Sequence, residues 1–188
     1  MAARLYVYTA RVLDKWLRKN PGARRVPPIL PVVLYNGRPA WTAPTTLREL
    51  FWLPNPSVLR EHFPQLSYRV DDLRRSEDEA LEQRSLPPFG RVALLLLRHC
   101  DDAEEDFLVF LTRLAAAINE VQDRDDLISC FTYIVEAGPG EAEALDTLRP
   151  RLSPPKEEVA MTIADALHER GRKEGLEQGL ERGREEGL

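Results

Sequence analysis

The residue types able to do hydrolytic chemistry are scattered along this chain. Of 31 acids only Asp14 falls within residues 1–48, whereas a magnesium site for phosphodiester cleavage needs two or three converging oxygen ligands. Asp71-Asp72 is an acidic pair, but neighbours on a strand point to opposite faces, so it fits a strand end or turn better than a shared metal. His62, His99 and His168 are isolated, with no partner at ligand spacing, and read as surface or helix-end residues. Cys100 and Cys130 form no CxxC, which excludes a zinc ribbon and a disulfide scaffold; both are expected to be reduced, buried and inert. No GxxxxGK, HExxH, GxSxG or GxGxxG pattern occurs. The residues alone supply neither a catalytic set nor a metal-ligand set.

Positive charge, by contrast, is organised. Residues 1–48 hold nine Lys or Arg against one acid, a net +8, while the rest of the chain nets −13. A basic start on an acidic body suits a first segment that meets a polyanion; equally, the two parts could attract each other within the molecule. Residues 2–19 read as a helix. At about 100° per residue Leu5, Val12, Leu13, Trp16 and Leu17 gather on one side, and Arg4, Arg11, Lys15 and Arg18 fall within an arc of roughly 60° opposite them. Asn20-Pro21-Gly22 then stops the helix.

With 188 residues, 43% of them hydrophobic, the chain can bury a real core. It has no apolar run of membrane-spanning length and no secretory signal, so a soluble, cytoplasmic protein is expected. Ile29 to Tyr35 is a short apolar, β-branched run closed by Asn36-Gly37. It reads as a strand buried on both faces, with Pro31 near its start. A short helix is expected over Leu47 to Leu53, and a weaker strand at Ser67 to Asp71. From Ser76 the pattern is helical. The run Val92 to Leu97 is too apolar for a surface helix, and Phe107, Leu111, Leu114, Ile118 and Val121, spaced 4, 3, 4, 3, should pack against a helix at Leu127 to Ala137.

From about Pro155 an amphipathic helix through Val159, Ile163 and Leu167 runs into Gly171, Gly175, Gly179, Gly183 and Gly187. Five helical glycines cost on the order of 4 to 5 kcal/mol relative to alanine. This tail is either a self-associating helix with a close backbone approach or a solvated low-complexity extension. Three zones result: a 1–75 α/β part, a 76–154 helical bundle and a 155–188 tail. The sheet looks incomplete, because one strand this apolar needs neighbours and cover that the sequence does not provide. The expectation is that the sequence starts inside a domain or that a partner chain supplies the missing strands.

Arg4-Leu5-Tyr6-Val7-Tyr8 leads through the helix into Leu30-Pro31-Val32-Val33-Leu34-Tyr35-Asn36-Gly37. Trp41-Thr42-Ala43-Pro44 and then Tyr68-Arg69-Val70-Asp71-Asp72-Leu73 follow. Over residues 1–75 this order resembles the Rpn recombination-promoting nucleases, also called YhgA-like putative transposases, a bacterial family. Phe131-Thr132-Tyr133-Ile134 and the glycine-periodic tail extend the resemblance more loosely. The resemblance implies a nuclease of the PD-(D/E)XK class, with Mg²⁺ held by an Asp and a Glu on adjacent strands. It also implies that those acids lie upstream of the Arg-Leu-x-x-Tyr helix, so no residue here inherits a catalytic or metal-binding role.

The expected fold is therefore α/β to mostly α: a remnant of a nuclease-like sheet, a helical bundle and a Gly-periodic C-terminal helix. Mg²⁺ is the cofactor of the intact family enzyme, with none bound by this chain. DNA is the expected partner, contacted by Arg4, Tyr8, Arg11, Lys15 and Arg18. Alternatively, Arg4 and Tyr8 satisfy buried polar groups of the core. The competing function is a non-catalytic interaction protein that associates through its helical zone and tail.

Overall fold

A computed structural model of the chain describes residues 1–51, 62–139 and 141–166, together with 169, 172 and 173. The expected helix end at Leu53, Leu167, His168 and the five tail glycines lie outside these residues. The chain divides into two compact units, Met1–Arg75 and Ser76–Leu188. The first carries the only strands among the described residues and the second is helical, so the mixed α/β to mostly α class holds.

In the first unit, α1 spans Ala2–Lys19, a stretch free of Gly and Pro. Arg18 and Lys19 complement the dipole at its C-terminal turn. Asn20 closes it: its side-chain amide donates to the Trp16 carbonyl at 2.8 Å and its backbone N–H to that of Leu17 at 3.1 Å. Only Ala2 on this helix is buried. Leu5, Leu13 and Trp16 are half-buried, Val12 and Leu17 exposed, and α1 packs on a 3-10 turn at Leu47–Leu50.

Strand β1 (Val32–Tyr35) pairs in parallel with β2 (Arg69–Asp72), Val32 opposite Arg69 and Tyr35 opposite Asp72. Pro31 lies just outside β1, where its carbonyl still accepts the Arg69 N–H at 3.1 Å, as an edge proline should. The expectation that β1 is buried on both faces is corrected. Val33 and Tyr35 are half-buried, but Val32 and Leu34 stay 51% and 52% exposed. The cause is the thinness of the assembly. Two strands form a single layer, and the described residues of this unit cover one of its faces.

The residues that carry the family resemblance build the corner after β1. The Tyr35 hydroxyl donates to the Pro39 carbonyl at 2.7 Å, the Trp41 indole N–H to Ala43 at 2.8 Å and the Tyr68 hydroxyl to Pro44 at 2.7 Å. The Trp41 ring stands edge-on to both Tyr35 and Tyr68, with centroids 5.0 and 6.2 Å apart. Gly37 is required because a Cβ there would run into the folded-back Tyr35 ring. An antiparallel bridge between Thr46 and Ser67 then holds Tyr68, which is buried.

The second unit contains α2 (Asp78–Glu82), α3 (Pro88–His99), α4 (Glu104–Glu120), α5 (Arg124–Ala137), α6 (Glu141–Leu148) and α7 (154–166). Pro88 occupies the first turn of α3, where its missing N–H is harmless. The Asp123 carboxylate caps α5 by accepting the N–H groups of Asp125 and Asp126 at 2.9 and 3.1 Å. Phe107, Leu111, Leu114, Ile118 and Val121 are all buried, as their spacing predicts, and so are Val92, Leu94, Leu95 and Leu96 of α3.

The buried faces of α4 and α5 belong to one helical core. Helix α3 and helix α6 each pack on both α4 and α5. Both turn large buried side chains inward, Phe107 and Leu111 from one and Phe131 and Ile134 from the other. These fill the centre of the unit. The close approach of the two helices comes at Gly138, beyond the end of α5, where an added Cβ would lie 2.6 Å from the Phe107 ring and the Ile134 carbonyl.

Candidate nucleic-acid interface

All five sequence-predicted contact residues, Arg4, Tyr8, Arg11, Lys15 and Arg18, lie on α1, and all are exposed. Their spacing of four and three residues keeps them on one side of the helix. At 1.5 Å per residue the stripe runs about 21 Å from Arg4 to Arg18. Arg18 also meets Asp14 at 2.9 Å, one turn earlier. Both side chains of that pair are largely exposed, so it is worth a few tenths of a kcal/mol at most and yields readily to a phosphate. The stripe places three or four exposed cations along one side of the helix.

Among the described residues no three His, Cys, Asp or Glu gather to hold a metal. Asp71 and Asp72 are successive residues of β2, so their carboxylates leave opposite faces. Asp72 turns toward Arg75 at 3.7 Å, a strand-end role. His62 is exposed. Cys130 is buried and its thiol is pushed up to about 12 by desolvation and the nearby Asp126 charge, which makes it inert. Cys100 is half-buried rather than buried, because it follows the last turn of α3, where its thiol donates to the Leu97 carbonyl.

His99 is not isolated, and this is the constellation that sequence reasoning missed. The ring ends α3. Its Nε2 lies 2.9 Å from Asp78 Oδ1 and its Nδ1 2.5 Å from Asp102 Oδ2. The ring stacks on Phe110 with centroids 4.0 Å apart. Arg98 Nε donates to the same Asp78 oxygen at 2.7 Å. The i, i+3 relation of His99 to Asp102 at a helix end was a readable signal. Asp78 lies on a separate helix, and local sequence gives no hint of it.

The arrangement ties α2 to the end of α3. Burial alone would raise the Asp78 carboxyl, but the His99 hydrogen bond and charge, followed by those of Arg98, outweigh it and hold the group below its ordinary range. A depressed carboxyl stabilises the fold above its unfolded pKa of about 3.9 and loses that contribution as pH falls through the folded value. We therefore expect Asp78→Asn to cost about 2 kcal/mol at pH 7. The gap to wild type should narrow below about pH 4. Urea midpoints at pH 7 and pH 3 check this, and an equal gap at both would remove the linkage.

Residues 1–129 match the family model described as "Putative transposase, YhgA-like". Comparisons with curated proteins and with solved structures return no match. The matched region takes in α1, both strands, the aromatic corner and helices α2 to α4. It covers well over half of the chain, which belongs to the YhgA-like transposase family.

Proposed function

We propose that this member of the YhgA-like transposase family contacts DNA, and that its α1 stripe grips the phosphate backbone rather than cutting it. The exposed Arg4, Arg11, Lys15 and Arg18 on one side of α1 carry the reading. Each guanidinium or ammonium that meets a phosphate releases a condensed counterion, so binding is driven largely by entropy and weakens with salt. In the nucleases that the first 75 residues resemble, Mg²⁺-dependent phosphodiester hydrolysis promotes recombination. That activity is the reading we favour for the family. No step is assigned to the residues of this chain, because no acid cluster of that kind occurs among the described residues.

A supercoiled plasmid tests this. Incubated with the 188-residue chain and Mg²⁺, it should be retarded in a gel at low salt, released by higher salt, and recovered uncut with or without a chelator. Nicking or linearisation at enzyme-like rates, abolished by chelation, would place a cutting centre within the chain and overturn the division of labour. No described helix is long and apolar enough to cross a membrane.

A further inference from the structure

Tyr8 stands inside the cationic stripe rather than beside it. Arg4 precedes it by one turn and Arg11 follows by three residues, so the three side chains are neighbours on one helix face. The Tyr8 ring is 54% exposed, far from the burial that would explain a large aromatic residue as core. Among the described residues it has no ring partner, and its hydroxyl has no hydrogen bond. A helix that only tracked phosphates would need no aromatic group here. An open aromatic face flanked by two guanidinium groups is instead the arrangement by which proteins hold an unpaired base, with the ring stacked on the base and the cations on the adjoining backbone. In a duplex the base faces are hidden by their neighbours, so the ring would have nothing to stack on.

We infer that the α1 stripe takes single-stranded or locally unpaired DNA, with Tyr8 as the stacking platform between Arg4 and Arg11. This rests on the phosphate-gripping reading above and adds the strand state of the ligand to it. Displaced strands and hairpin loops, which strand-exchange reactions expose, have this chemistry. A stacked base also explains why the aromatic residue sits between cations: the base next to a bound phosphate falls within reach of the ring.

The test compares a fluorescein-labelled twenty-nucleotide oligothymidylate with a labelled duplex of equal length, by anisotropy, for wild type, Tyr8→Ala, Tyr8→Phe and Arg11→Ala/Lys15→Ala/Arg18→Ala. The oligothymidylate should bind more tightly than the duplex in wild-type protein. Tyr8→Ala should weaken it about tenfold with an unchanged salt slope and leave the duplex alone. Tyr8→Phe, which keeps the ring, should bind as wild type. A wild-type preference for duplex overturns the inference, as does a Tyr8→Ala effect that is absent or equal on both ligands. If the triple variant binds both ligands as well as wild type does, the phosphate-gripping reading itself fails, a distinct result.

Discussion

Replacing Arg11, Lys15 and Arg18 together by alanine is expected to lower DNA affinity on the order of 100-fold at 50 mM salt, while the protein stays folded. The three side chains are exposed, so removing them creates no cavity. Alanine is also the best helix former, so α1 should persist. On a duplex each phosphate contact contributes about 0.9 to the slope of log affinity against log salt, so losing three flattens it by about 2.7; on a single strand, at about 0.7 per contact, the loss is about 2.1 and the fold-changes shrink accordingly. With four contacts, wild type should lose roughly 150-fold in affinity between 50 and 200 mM salt, and the variant roughly 3-fold. Asp14 provides a control of opposite sign. It pairs with Arg18, so Asp14→Asn should free that cation and tighten binding a few-fold at low salt. Anisotropy titrations at four salt concentrations separate these outcomes, and equal slopes in wild type and triple variant would show that α1 does not meet the phosphates.

The second large effect belongs to the helical unit. Phe107 is 1% exposed, lies 6.0 Å from Phe110 between ring centroids and closes on Gly138. Truncation to alanine removes a ring from the point where α4 meets the end of α5, and the surrounding helices cannot collapse fully into the space. A loss of about 3 to 5 kcal/mol is expected, a large share of the 5 to 15 kcal/mol by which ordinary domains are stable. At a urea dependence of about 2 kcal/mol/M, the midpoint should fall by about 2 M. Val109 is on the same helix but 58% exposed, and Val109→Ala should stay within about 0.5 kcal/mol. Equal midpoints for the two variants would refute the burial of Phe107 against the end of α5.

Much of this fold is written in local patterns. The 4, 3, 4, 3 spacing from Phe107 to Val121 foretells a buried helical face. The run from Val92 to Leu97 foretells an interior helix, and Asn20-Pro21-Gly22 foretells the end of α1. These signals are legible because they depend on 3.6-residue periodicity and on backbone limits of Pro and Gly, both properties of short segments. The exposure of Val32 and Leu34 was not legible, since an apolar strand looks the same whether or not a second layer covers it. Periodicity likewise identifies the inward face of a helix but not which helix it faces. The Asp78–His99–Asp102 cluster joins residues from two helices and the turn after α3, a relation that sequence spacing shows only for its Asp102 half. For the candidate interface, the cationic stripe could be placed on one helix face from residue numbers alone. The exposure of Tyr8 could not, because the same residue would equally serve as a buried polar anchor.

Amide hydrogen exchange over residues 2–19, with and without a saturating oligonucleotide at low salt, tests the central claim most directly. Helix α1 buries only Ala2, so little packing holds it closed and its amides should open at small free-energy cost in the free protein. Cations fastened to consecutive phosphates along one side would restrain that opening. The account predicts exchange slowed tenfold or more along α1 when DNA is bound, with the slowing reversed by salt in step with dissociation. DNA binding that leaves residues 2–19 exchanging as in the free protein would contradict it.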